Sequence, residues 1–371
     1  MAIALVNMGI GIVLTRDRDR GNDFQTVRHW TERWLFDGQD LYASRLSGTD
    51  YPPHAILALS PISLLPVERA VPVWAAINLG LAIVAPILAA RIVKRNTPLS
   101  DIACLAVLFL GWSGSKTLLQ FTLLTLVFGL ASVALAERHA RWSGACLALA
   151  MMKPHVAAPF LLWALFTRRW KAMGVCAVVL AAGSLAWCLR ASGDPLNVAV
   201  RYTEILLLYY TGEGGLTGVS QLAPMIGLFT TRSFAVPATA LLSFALLAIV
   251  ATRAQSGWRT PAVLYPVPAM AAVWSLLTFY HLTYGFVLLL PVAALLVLSD
   301  DQRSRRSRHA LFWTMQVTLV TDLPGLWRRF GPPDRAGSVI DVILRGSYPV
   351  LLLCLFAGLW VFHRRELRHS T

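Results

Sequence analysis

The chain has 371 residues, of which 56% are hydrophobic and 14% charged, and its mean hydropathy is +0.60. A soluble domain is nearer a quarter charged, so the composition describes an all-α, polytopic integral membrane protein. The net charge of +14 falls in short Lys/Arg clusters between apolar runs, the positive-inside pattern, with no basic stripe interleaved with aromatics, and nucleic acid is excluded as a partner. The five cysteines stand singly in or beside apolar runs without a C-x-x-C, which fits burial rather than a metal site or a disulfide framework.

Residues 1–14 are apolar but rise only about 21 Å as a helix, short of a hydrocarbon core of about 30 Å. They read as a first span continued upstream or as a signal-anchor; no cleavable signal peptide is expected, because an uncharged start runs on into R-D-R-D-R rather than a small-residue cleavage site. The interval 16–53 is polar and aromatic-rich. It holds Asp23, Glu32, Asp37, Asp40 and Asp50, five of the nineteen acidic residues. Such a concentration is either a solvated loop or a carboxylate placed to take a proton from a hydroxyl at the membrane surface.

Residues 53–66 are apolar but broken by prolines, which suits a segment that lies in the interface or enters part-way. Residues 71–93 form a span ending at Arg91, Lys94 and Arg95, so its end is cytoplasmic and interval 16–53 is extracytoplasmic. Spans 102–112 and 118–136 follow. Two basic clusters, 137–141 and 167–171, should then both be cytoplasmic, yet only about 25 residues separate them, where two spans need roughly 40. The expectation is a re-entrant hairpin over 142–167 with Lys153-Pro154-His155 at its apex. A lysine at that depth is costly unless it faces a polar cavity or an anion.

Span 172–189 leads to a second outer loop, 191–234, with Arg201, Glu204 and a glycine-rich stretch. No G-K-[ST] closes that stretch, so it reads as a flexible loop and not a phosphate-binding loop. Spans 235–251, 261–279 and 284–298 lead to the cytoplasmic basic loop 299–309, and spans 310–326 and 350–362 flank a third outer loop at 327–335. Ten spans plus the hairpin close without contradiction. Asp23, Arg28, His29, His54, Arg201 and His281 then share the outer face, with Lys153 reaching towards it from below.

Several stretches recur as a set: D-F at 23–24, D-G-Q-D-L-Y, Y-P-P and S-P-I-S-L-L-P; then K-T-L-L-Q-F-T-L-L at 116–124, S-G-A-C-L-A-L-A-M-M-K-P at 143–154, S-Q-L at 220–222 and L-T-F-Y-H-L-T-Y-G-F-V-L-L-L-P at 277–291. In order and spacing they resemble glycosyltransferase family 87, with Thr278-Phe279 where the family has Ser-Trp. The family includes mycobacterial polyprenol-phosphate-mannose-dependent mannosyltransferases, and nothing in the chain ties it to their acceptor.

The resemblance implies a GT-C-like bundle of about 10–12 helices in the plasma (inner) membrane, with an extracytoplasmic active site. It implies transfer of a hexose, mannose first among them, from a polyprenyl-phosphate-linked sugar donor to a lipid or glycan acceptor, with inversion. Asp23 would be the general base, with His281 relaying its proton, and Lys153, Arg28 and Arg201 would bind the donor phosphate. Tyr42, Tyr51, His54, Gln120, Gln221 and Tyr280 would contact substrate, although aromatics at an interface also serve as anchors. Glu32 is a rival base, and Asp37 and Asp40 suit the turn around Gly38. No cofactor or metal is expected. The alternatives are a transporter or flippase of envelope lipids or glycans, which would carry internal repeats and midplane polar groups, a ligase using a lipid-diphosphate glycan, and a non-catalytic assembly factor.

Overall fold

The computed structural model describes residues 23–43, 49–94, 96–117, 120–211, 221–227, 229–257, 266–279, 281, 283–299, 304–322 and 339–370. The expected first span, residues 212–218, the third outer loop and Tyr280 lie outside them. The described residues form an all-α polytopic membrane protein. Four helices are long and apolar enough to cross a membrane: Val67–Val93, Trp170–Ala191, Phe234–Gln255 and Val339–Phe362. Val178, Leu185 and Leu189 on the second, and Leu241 and Phe244 on the third, are exposed, as lipid-facing side chains must be.

Within interval 16–53, residues 23–43 and 49–53 are built more tightly than a solvated loop. Asp23–Leu35 is a helix, α1, that buries Phe24, Val27, Thr31 and Trp34. Gly38, at a φ of 66°, turns the chain after it, and Asp40 accepts the Tyr42 N–H at 2.8 Å. Pro53–Leu59 (α2) and a 3-10 turn over Ser60–Leu64 follow, before Val67–Val93 (α3). Leu99–Thr117 (α4) leads to Thr122–Leu135 (α5). Trp74 of α3 packs at a tilt against Phe121 at the head of α5 with centroids 4.7 Å apart, and at the other end Ile92 and Val93 line one small cavity with Leu130 and Val133. These two helices therefore run the same way.

Ala140–Ala150 (α6) and Pro154–Phe166 (α7) are the two short legs of a hairpin. Proline at the head of α7 offers no N–H and disfavours helical backbone in the residue before it; Lys153 accordingly sits at φ −128°, ψ 84°. The hairpin starts and ends at one end of the bundle, where Arg169 pairs with Glu137. Its 11- and 13-residue legs reach about 17 and 20 Å, short of a full span. Gly144 lets α6 pack directly on the backbone at Ala172 in Trp170–Ala191 (α8), and Gly129 of α5 admits the Phe160 ring of α7.

Beyond α8 the described part of interval 191–234 is also helical in places. Pro195–Thr211 (α9) is capped by the Asp194 carboxylate on the N–H groups of Leu196 and Asn197, and Leu222–Gly227 (α10) precedes Arg232–Gly257 (α11). Pro266–Thr278 (α12) is buried on every side. The expected span 284–298 is a 3-10 turn, Thr283–Leu289, followed by Leu290–Leu298 (α13) with proline in its first turn. Arg305–Thr321 (α14) begins inside the expected basic loop, and Val339–Ser370 (α15) closes the chain.

Candidate active site

α1 is clamped from several sides. Arg28 donates to the Leu65 carbonyl at 2.9 Å and pairs with Glu32 at 2.8 Å. Thr31 meets Ser63, and Trp34 donates to the Trp187 carbonyl at 3.2 Å. At its C-terminal end, Arg190 of α8 donates to the Leu35 and Phe36 carbonyls at 2.9 and 3.0 Å, capping the helix. These ties fix the position of the first residue of α1, Asp23.

Asp23 Oδ2 lies 3.2 Å from Lys153 Nζ. The lysine is 3% exposed and the aspartate 36%, so one partner is embedded and the other is open to solvent or substrate. The same ammonium reaches Gln120 Oε1 and Thr122 Oγ1, each at 3.4 Å. An ammonium has three donors, and here three acceptors surround it. The rings of Tyr284 and Tyr51 lie 4.6 and 5.5 Å from Nζ, adding favourable quadrupole contacts. Thr122 opens α5, Lys153 caps α7 and Asp23 opens α1, so three helix starts gather at one point. The positive ends of helices favour anions there.

Asp50, counted among the acids but not singled out in sequence, belongs to this group. Burial pushes its carboxyl above the ordinary carboxylate range; Lys153 opposes that shift and Asp23 adds to it. Tyr51 follows it in the chain, buried, with its phenol in direct interaction with the Lys153 ammonium; burial pushes that phenol up, against the pull of Lys153. On the other side, the rings of His155 and His281 meet edge to face at 5.1 Å, and Lys153 acts electrostatically on both. Ser275 of α12 donates to the His155 carbonyl at 2.7 Å and lies 3.3 Å from His281 Nε2.

The structure therefore brings together Asp23, Lys153, Gln120, Tyr51 and His281 of the residues expected from sequence. It places others elsewhere. Arg28 ties α1 to the turn at Leu65. Arg201 pairs with Glu204 at 3.1 Å on the surface of α9, one residue before Tyr202, whose hydroxyl donates to the Asp50 carbonyl at 3.4 Å. Tyr42 is a strut rather than an open sugar platform: it is fully buried, donates to the Tyr51 carbonyl at 2.6 Å and packs edge-on against Trp187. His54 packs on Gly183 of α8, and Gln221 stands just before α10. Among the described residues no three of His, Cys, Asp and Glu gather in a way that could hold a metal ion.

The residues that sequence reasoning passed over are Asp50, Thr122, His155, Ser275 and Tyr284. Asp50 and Tyr284 flank or lie within quoted motifs, and Thr122 and His155 adjoin Gln120 and Lys153. Ser275 has no such signal, since a serine in an apolar helix resembles any packing residue.

No curated protein and no solved structure matches the chain. The model of glycosyltransferase family 87 does, over residues 49–264, which is more than half of the chain. The matched stretch contains Asp50, Tyr51, Gln120, Thr122, Lys153 and His155, while Asp23, Ser275 and His281 lie outside it and join the cluster in space. A membrane-embedded bundle with a buried lysine and an open carboxylate at converging helix starts agrees with that match, and the chain belongs to glycosyltransferase family 87, a family of membrane glycosyltransferases.

Proposed function

We propose that this glycosyltransferase moves a hexose, mannose in the first instance, from a polyprenyl-phosphate donor to a hydroxyl of a lipid or glycan acceptor at the extracytoplasmic face of the plasma membrane. The observation that carries the reading is the ion pair between buried Lys153 and open Asp23. The acceptor oxygen attacks the anomeric carbon from the side opposite the phosphate, so the configuration inverts. As the new C–O bond forms, the bond to the phosphate oxygen breaks and its electron pair stays on the lipid phosphate. The hydroxyl proton goes to Asp23.

A lipid phosphate is a competent leaving group and needs cations more than a general acid. Lys153 and the heads of α5 and α7 supply that electrostatic stabilisation. Because the ammonium already has three acceptors, a donor phosphate must displace one of them. Of the three acceptors Asp23 is the one that is charged, and it shares the sign of the phosphate's charge, so it is the one exchanged. Donor binding thereby transfers the lysine from carboxylate to phosphate and leaves the carboxylate facing the acceptor hydroxyl. The extracytoplasmic placement rests on Arg91, Lys94, Arg169 and Lys171, which all lie at the end of the bundle away from the cluster. The hairpin Ala140–Phe166 is re-entrant in this reading, and with the proline-broken segment 53–66 it borders the groove for the polyprenyl chain. Gln120 and Tyr51 are the substrate contacts nearest the lysine.

The test is transfer of radiolabelled mannose from polyprenyl-phosphate mannose to a lipid extract of the native host, with full-length wild type and Asp23→Asn in nanodiscs. The expected loss in the variant is about 10²–10⁴-fold with thermal stability retained. Equal transfer by the two proteins would remove Asp23 as base.

A further inference from the structure

We propose that Ser275 is a positioning residue that fixes the tautomer of His281, holding the proton on Nε2 and leaving Nδ1 as an unfilled acceptor. A serine hydroxyl has one proton. The His155 carbonyl oxygen can only accept, so at 2.7 Å it takes that proton from Ser275. Ser275 Oγ then has only lone pairs to offer His281 Nε2, 3.3 Å away, and a hydrogen bond between them requires the proton on Nε2. In a neutral imidazole the other nitrogen is an acceptor. His281 Nδ1 is indeed buried with no hydrogen-bond partner.

Two further contacts hold the ring in place. Gly285 stands against it: a Cβ at that position would fall 2.7 Å from Nδ1 and 3.0 Å from the histidine Cβ, so any larger residue presses on the ring. The imidazole also meets the His155 ring edge to face at 5.1 Å. Ser275 is completely buried and joins α12 to the head of α7, so one hydroxyl couples the apex carrying Lys153 to the orientation of His281. A buried acceptor without a partner is costly, and on the proposed mechanism a substrate O–H would fill it. The role in transfer rests on the cluster being the sugar-transfer site; the tautomer does not.

The experiment is nitrogen-15 NMR of histidine side chains in the full-length protein in nanodiscs, with the His281 signals assigned by their loss in His281→Asn. Wild type is expected to show a neutral His281 protonated at Nε2. Ser275→Ala should shift the population towards the Nδ1-protonated form and lower kcat for mannosyl transfer about tenfold at little change in donor KM, and Ser275→Thr, which keeps the hydroxyl, should restore the wild-type tautomer. A wild-type His281 protonated at Nδ1 overturns the proposal even if Ser275→Ala does not fold, and so does a tautomer unmoved by Ser275→Ala. The NMR measurement needs no substrate, so failure of wild type to transfer any lipid-phosphate sugar counts against the transfer reading alone.

Discussion

Lys153 and Arg201 were equivalent in sequence, two cations expected to hold a donor phosphate, and the two regions that carry them are built differently. Lys153 sits at a hairpin apex with side-chain partners 130, 33 and 31 residues away. Arg201 lies on the surface of α9, 41% exposed, and its ion-pair partner is three residues on. Arg28 is intermediate, with one partner four residues away and one 37 away. A desolvated ammonium survives only where the fold supplies acceptors in advance. An exposed pair is screened by water and contributes little. The comparison separates a charge that the tertiary structure was arranged to hold from charges that hold themselves.

The most severe way to break that contrast is Lys153→Met. On the proposed mechanism, removing this ammonium should lower kcat/KM for the polyprenyl-phosphate donor by about 10²–10³-fold, measured in nanodiscs. A loss under tenfold would mean that the buried lysine is structural. Arg28→Met leaves the Leu65 carbonyl without its donor and should cost about 1–2 kcal/mol of stability, seen as a lower thermal midpoint, with donor KM unchanged. A raised KM without destabilisation would return Arg28 to phosphate binding. Tyr42→Phe removes one hydrogen bond to the Tyr51 carbonyl and should cost about 1 kcal/mol in the same assay.

Asp50 sharpens the comparison through pH. Burial holds its carboxyl above the ordinary range, so the folded chain keeps that proton to higher pH than the unfolded chain. The associated stability is complete below the unfolded value and is lost as pH rises through the raised folded value. Thermal midpoints followed from about pH 4 upwards should decline over that window, and Asp50→Asn should flatten the decline. The smallest effect belongs to Arg201→Ala: a stability change below about 0.5 kcal/mol and donor KM within about twofold. A large rise in KM would show that α9 closes over the donor.

The two short helices of the hairpin were legible because charge rules and length conflicted: the basic clusters at 137–141 and 167–171 stand too close together for two full spans between them. The contrast between Lys153 and its neighbours was legible too, since Pro154 announces a helix start after a charged residue. Less legible was the character of interval 16–53. Its polarity resembles a solvated loop, yet Phe24, Val27 and Trp34 recur at helical spacing and bury α1 against the turn after α2 and against α8. The same blindness affected Tyr42, where an aromatic beside a membrane could anchor, stack on sugar or brace a loop. Only its hydroxyl on the Tyr51 carbonyl distinguishes the third.

By itself the sequence determined the class of molecule, the break at Lys153-Pro154 and, through its ordered motifs, the family. Those properties depend on local composition, on the missing N–H of proline and on the cost of charge in hydrocarbon, all of which act along the chain. The tertiary structure alone decided that Lys153 meets Asp23 instead of Glu32, that Asp50 joins them, and that Ser275 stands between His155 and His281. Contacts across 130 residues arise from how helices pack, and packing is set by the shapes of many small and apolar side chains together rather than by any motif that names its partner.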